Sequence, residues 1–132
     1  MPAEPVWLTA EQVIVINARE VAATNENHFV RDRGALESAV MRPRNRFDIL
    51  GVTDLAELTA SMVAGLAWSH AFEQGNKRTA STAGLLFARL NGSRFVPIGE
   101  DEQGFMVESL TIKAVSEANY ADFLRMRLFP IS

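Results

Sequence analysis

Residues 53–70 read "TDLAELTASMVAGLAWSH". Leu55, Leu58, Met62, Leu66 and Ser69 recur at intervals of three and four, the spacing of one face of an α-helix. Thr53 is placed to cap the start, and Asp54 and Glu57 suit the positive end of the helix dipole. A helix of this composition is expected to run through the middle of a core, which commits the rest of the chain to packing around it. Directly after it comes "HAFEQGNKRTA", residues 70–80, where a histidine, a glycine, an asparagine and two cations stand between buried helices.

The other segments are also mostly helical in pattern. "LTAEQVIVINAREVAAT" predicts a first helix. Thr9 and Gln12 have the spacing of a capping box, and Val13, Ile16, Ala18, Val21 and Ala22 supply apolar positions. "TNENHFVRDRG" is polar and turn-like. "GALESAVMRP" predicts a short helix stopped by Pro43, because proline lacks the N–H a helix interior needs. "RPRNRFDILGV" is expected to be a loop with some β character. "NKRTASTAGLLFARLNG" predicts a helix burying Ala80, Ala83, Leu86, Phe87 and Leu90, with Asn91-Gly92 as its stop. Two more helices follow, "FMVESLTIKAV" and "SEANYADFLRMRLF", the second capped by Ser116 and ended by Pro130. The expected architecture is all-α, a compact bundle of five to seven helices, as one domain over residues 1–132. No sheet and no internal repeat is expected.

Composition narrows the function. The net charge is −3, which disfavours non-specific nucleic-acid binding. With no cysteine there is no disulfide framework and no thiolate zinc site. No secretory leader and no membrane span is expected, which suits the cytoplasm. Arg31, Arg33, Arg42, Arg44 and Arg46 crowd one stretch; they read as a solvated face, or as a surface for an acidic partner or a nucleotide. His28 reads as structural or idle. Trp7 and Trp68 are expected in the core, with Trp68 also near enough to the motif to border its pocket.

The motif itself carries chemistry. Asn76 is suited to cap the second helix. Lys77 and Arg78 fall in its first turn, where each exposed cation opposes the dipole by roughly 0.3–1 kcal/mol. Two such cations imply a bound anion, and Gly75 would let that anion approach the backbone. His70 can act as a general base toward a hydroxyl beside the phosphate. Phe72 would bury its ring and anchor the loop.

This stretch resembles the signature of the Fic/Doc superfamily, His-Pro-Phe-x-Asp/Glu-Gly-Asn-Gly/Lys-Arg. His70, Phe72, Gly75, Asn76 and Arg78 match it. "RDRGALESAVMRPRN" and "GLLFARLNG" resemble the Doc (death-on-curing) branch, so the similarity spans roughly residues 8–92. The resemblance implies a toxin of a toxin–antitoxin system that arrests growth, with ATP and Mg²⁺ as cofactors. It implies His70 as base and Gly75, Asn76, Lys77 and Arg78 on the phosphates, with Lys77 and Arg78 also catalytic. In this branch lysine in place of glycine is understood to obstruct the AMP-transfer pose, so the γ-phosphate moves instead. The implied acceptor is a Ser/Thr hydroxyl of a target protein such as elongation factor Tu.

The alternatives are AMP transfer and a weakened nucleotide-binding regulator. The second arises because Gln74 stands where the magnesium-binding acid belongs, leaving a neutral oxygen as the metal ligand. Ala71 replaces the usual proline. Members with a built-in inhibitory helix carry Ser/Thr-x-x-x-Glu-Gly/Asn. Glu26-Asn27 comes closest, but Ala22 occupies the Ser/Thr position, so the resemblance implies control by a cognate antitoxin in trans. By position in the chain, residues 42–52 correspond to the flap that docks the target by strand addition, with Phe47, Asp48, Ile49 and Leu50 as the contact strand.

Overall fold

The computed structural model describes residues 3–131. Within them the chain forms α1 (Ala10–Ala23), α2 (Arg33–Leu50), α3 (Leu55–Ser69), α4 (Asn76–Leu90), β1 (Ser93–Phe95), α5 (Glu102–Thr111), α6 (Glu117–Arg125) and β2 (Leu128–Pro130). The all-α expectation holds, with six helices among the described residues. No helix is long and apolar enough to cross a membrane.

Helix α3 is the centre. Ten of its residues are buried, from Ala56 to Ala67, and a helix apolar on all sides must be surrounded. Helices α2, α4, α5 and α6 pack around it. The approach to α4 is close at Gly84, where an added Cβ would lie 2.3 Å from Val63 Cγ2. Asp54, rather than Thr53, caps α3, accepting a hydrogen bond from the Glu57 N–H at 3.3 Å. Helix α1 has the expected capping box: Gln12 N–H donates to Thr9 Oγ1 at 3.2 Å and Thr9 N–H to Gln12 Oε1 at 2.9 Å. Ser116 caps α6 as expected.

Three departures matter. Helix α2 runs through Pro43 to Leu50 instead of stopping. An interior proline costs about 3 kcal/mol, and tertiary contacts offset it. Pro43 is buried, Arg42 and Arg46 both pair with Glu117 of α6 at 2.6 and 3.2 Å, and the Phe47 ring meets Trp7 at 5.7 Å. Phe47, Asp48, Ile49 and Leu50 therefore close a helix and are not an extended strand. Asp48 pairs with Arg44 one turn back at 3.7 Å, while Ile49 and Leu50 are exposed. Second, β1 and β2 pair antiparallel, Ser93 opposite Pro130 and Phe95 opposite Leu128. Strands of three residues carry too little alternation to be visible in sequence, and Pro130 ends one of them rather than a helix. Third, α5 begins at Glu102, before the expected Phe105, and stops at Thr111, just ahead of Lys113 in the left-handed region at φ 61°.

Candidate active site

The motif loop is built by the ends of two helices that the core holds rigidly. His70 is the C-cap of α3 and adopts φ 51°, which turns the chain sharply out of the helix. Ala71 and Phe72 then dive into the core at 0% and 2% exposure. That burial leaves His70 exposed at the rim, and among the described residues its imidazole has no hydrogen-bond partner.

Asn76 behaves differently from the expectation. The N-cap of α4 is Gly75, with no side-chain cap bond, and Asn76 is the first helical residue. Its carboxamide closes the loop instead: Phe72 N–H donates to Asn76 Oδ1 at 3.0 Å, and Asn76 Nδ2 donates to the Phe72 carbonyl at 2.8 Å. Both ends of the amide are thus used inside the protein. The start of α4 keeps the free first-turn N–H groups that any uncapped helix presents.

Gly75 has a different reason for being glycine. Its φ is +74°, and an added Cβ would stand 3.0 Å from Val21 Cγ1 and 3.3 Å from Asn17 Nδ2. Close packing against α1, together with positive φ, requires glycine here.

Asn17 is the residue that sequence reasoning missed. It lies on α1 at 0% exposure. Its Nδ2 donates to the Gln74 carbonyl at 2.8 Å and to Thr79 Oγ1 at 3.0 Å. Its Oδ1 faces His28 Nδ1 at 2.7 Å, which fixes that nitrogen as the donor. His28 is therefore engaged, not idle. One buried side chain ties the motif loop, the start of α4 and the segment after α1 together. The signal was present: Val13, Asn17 and Val21 are spaced by four, so a polar residue interrupts an apolar stripe.

The segment after α1 flanks the motif in extended form. Val30 forms an isolated antiparallel bridge with Phe72. Glu73 N–H donates to the Phe29 carbonyl at 3.0 Å, and the N–H groups of Arg31 and Asp32 donate to the Ala71 carbonyl at 2.7 and 3.1 Å. Residues 29–32, not 47–50, are the strand-like neighbours of the motif.

Arg78 reaches into this segment. It pairs with Glu26, and its Nη1 donates to Thr24 Oγ1 at 2.8 Å and to the Glu20 carbonyl at 3.3 Å. The Glu26 carboxyl, held first by the Thr24 hydroxyl and then by the Arg78 guanidinium, lies below its usual range. So Glu26 meets the motif arginine although the residues before it lack the inhibitory pattern. Lys77 leans the other way, its Nζ 2.8 Å from Glu108 Oε2 of α5.

His70, Glu73, Gln74, Gly75, Asn76, Lys77 and Arg78 line one open cavity of about 390 Å³, so the structure brings these motif residues together while Ala71 and Phe72 lie in the core beneath. Trp68 is not in its wall; its Nε1 donates to the Leu110 carbonyl at 3.0 Å, and Lys113 and Arg42 lie over its ring. No cluster of three or more His, Cys, Asp or Glu suited to a metal occurs among the described residues. Among the described residues, Gln74 Oε1 and the Glu73 carboxylate are cavity side-chain oxygens without a hydrogen-bond partner, whereas Glu26 is engaged. Such a set suits a magnesium ion that arrives on a polyphosphate, which needs few protein ligands.

Comparison with known proteins identifies the family. Residues 7–88 match the model of the Fic/DOC family. The chain is 29% identical over 122 residues to "Protein kinase doc" of Escherichia phage P1, covering 89% of this chain and 92% of the phage protein. It is 39% identical over 64 residues to "Toxin Doc" of Mycolicibacterium smegmatis, covering 48% of this chain and 49% of that protein.

Proposed function

The chain belongs to the Fic/DOC family as a Doc-type member, and from that premise we propose that it transfers the γ-phosphate of ATP to a Ser/Thr hydroxyl of a target protein. The observation that carries this is the shared cavity: an unpartnered imidazole at one side, and an uncapped helix start with two cations at the other.

ATP enters with its phosphates toward the start of α4. The first-turn N–H groups and the Lys77 and Arg78 side chains offset the phosphate charge, the cradle a helix start provides. Glu26 holds Arg78 in the free protein, so an incoming phosphate competes with that carboxylate. Gln74 Oε1 is the motif oxygen that would hold a magnesium ion carried by ATP, and that ion would supply positive charge to the phosphate oxygens. The target hydroxyl lies against His70, which accepts its proton as the oxygen attacks the γ-phosphorus. The new O–P bond forms, the bond to the β-phosphate bridging oxygen breaks, and ADP leaves. His70 then releases its proton to water. A positioned base of this kind contributes roughly 10²–10⁴ in rate.

Lys77 is the residue that favours phosphate over AMP transfer. The name of the phage relative, a protein kinase, supports the same choice, and the toxin name of the other supports a growth-arresting role with an antitoxin as partner. A translation factor such as elongation factor Tu is the target class. Gln74 favours a second possibility, a nucleotide-binding regulator with little turnover.

His70→Ala separates the two. Loss of target modification together with loss of growth inhibition supports the transferase. Growth inhibition that persists without target modification rejects it. The product mass identifies the reaction: a gain of about 80 Da is a phosphoryl group, and about 329 Da an AMP, a phosphoester product in either case.

A further inference from the structure

Two adjacent first-turn cations are held in opposite directions. Arg78 is held by Glu26, on the His70 side of α4. Lys77 is held by Glu108, which lies 31 residues away on α5. A second cavity, about 410 Å³, lies between α4 and α5, lined in part by Leu85, Gly104, Val107 and Glu108. Lys77 and Arg78 line both cavities, whereas His70 lines only the first and Glu108 only the second. Their side chains are therefore the wall between the two spaces.

Lys77 needs an external tether to serve as a wall. Its stem has four rotatable bonds, and its charge is repelled by the start of its own helix. An ammonium has three N–H donors. The single contact to Glu108 at 2.8 Å directs one of them toward α5 and leaves two for a phosphate.

We infer that Glu108 is the positioning residue for Lys77. By holding the ammonium across the boundary between the cavities, it confines the triphosphate to the pose that places the terminal phosphate at His70. This rests on the phosphotransfer function proposed above. Glu108 touches neither ATP nor the acceptor; it acts through Lys77 alone.

The chain has only two lysines, Lys77 and Lys113, so the tether can be read directly. The folded protein is treated briefly with an amine-acylating reagent, and the two sites are quantified by mass spectrometry. In Glu108→Ala, Lys77 is expected to be acylated about two- to five-fold faster, the range of a partly exposed ion pair, with Lys113 unchanged as internal control. In the transfer assay Glu108→Ala is expected to lower kcat/KM for ATP by about the same factor and to raise the AMP-modified fraction of product. Glu108→Gln, which keeps an oxygen acceptor, should recover part of the loss. In a Lys77→Met background Glu108→Ala should have no further effect.

The inference is overturned if Lys77 acylation does not change, or if it rises while kcat/KM and the product ratio stay the same. It is also overturned if Glu108→Ala costs as much in the Lys77→Met background as in the wild type. A wild-type protein that transfers nothing from ATP instead contradicts the proposed function itself, and the assignment of Glu108 falls with it.

Discussion

Replacing Asn17 by alanine removes three hydrogen bonds from a fully buried position. Two are donated, to the Gln74 carbonyl and to Thr79 Oγ1, and one is accepted from His28 Nδ1. A neutral hydrogen bond is worth about 0.5–1.5 kcal/mol net, and a buried group left without a partner costs about 1–3 kcal/mol. Thr79 is 1% exposed and loses its partner in a place closed to bulk solvent. Gln74 and His28 are exposed and can turn to solvent. The sum is about 2–3 kcal/mol, which for a chain of this size lowers Tm by roughly 6–12 °C. Urea titration of wild type and Asn17→Ala measures it. Because Asn17 and Thr79 share a bond, the double variant with Thr79→Val should cost about 1 kcal/mol less than the sum of the singles. Transfer activity at a temperature where both proteins are folded should fall further than stability explains, since the Gln74 carbonyl and the start of α4 lose their common anchor. A loss below about 0.5 kcal/mol, within the range of ordinary surface substitutions, together with full additivity, would refute the clamp.

Gly84→Ala places a methyl 2.3 Å from Val63 Cγ2 and should cost about 1–3 kcal/mol by overpacking α3 against α4; adding Val63→Ala should recover part of it in the same denaturation assay. Gln74→Asp restores a charged oxygen at the cavity and should lower the magnesium concentration that half-saturates the rate; an unchanged magnesium titration removes position 74 from metal binding. Glu102 is held down to about 2, chiefly by paired hydrogen bonds from Arg127 and then by the Ile98 N–H. Its folded pKa lies below its unfolded value of about 4.5, so its contribution is complete above that value and is lost as pH falls from there toward 2. The stability difference between wild type and Glu102→Gln should shrink across that window, and a constant difference would contradict the pairing.

What could be foreseen depended on how local the cause was. The capping box of Thr9 and Gln12 needs only residues three apart, and it stands as expected. The burial of Phe72 and the place of His70 at the end of α3 follow from the apolar spacing on either side. The continuation of α2 through Pro43 was illegible because the offsetting contacts come from Glu117 and Trp7, far away in sequence. For the same reason residues 47–50 read as the contact strand of a docking flap although they close α2, and the bridge between Val30 and Phe72 is invisible in sequence because it exists only once α1 and α3 have packed. Asn76 reads as the helix cap because its preference for helix starts is strong, yet the tight turn gives its amide a nearer pair of partners on Phe72. Gly75 shows the same limit. A glycine before a cationic turn suggests room for a ligand, and Gly75 does line the cavity, but the packing of Val21 and Asn17 against the place its side chain would take is not visible in sequence.

Incubation of the protein with a cell lysate and either γ-labelled or α-labelled ATP tests the proposed reaction most directly. Label should pass from γ-labelled ATP to one predominant protein band, not from α-labelled ATP, and should disappear with His70→Ala. Transfer from α-labelled ATP, or γ-label incorporation that survives His70→Ala, would contradict phosphate transfer by this loop.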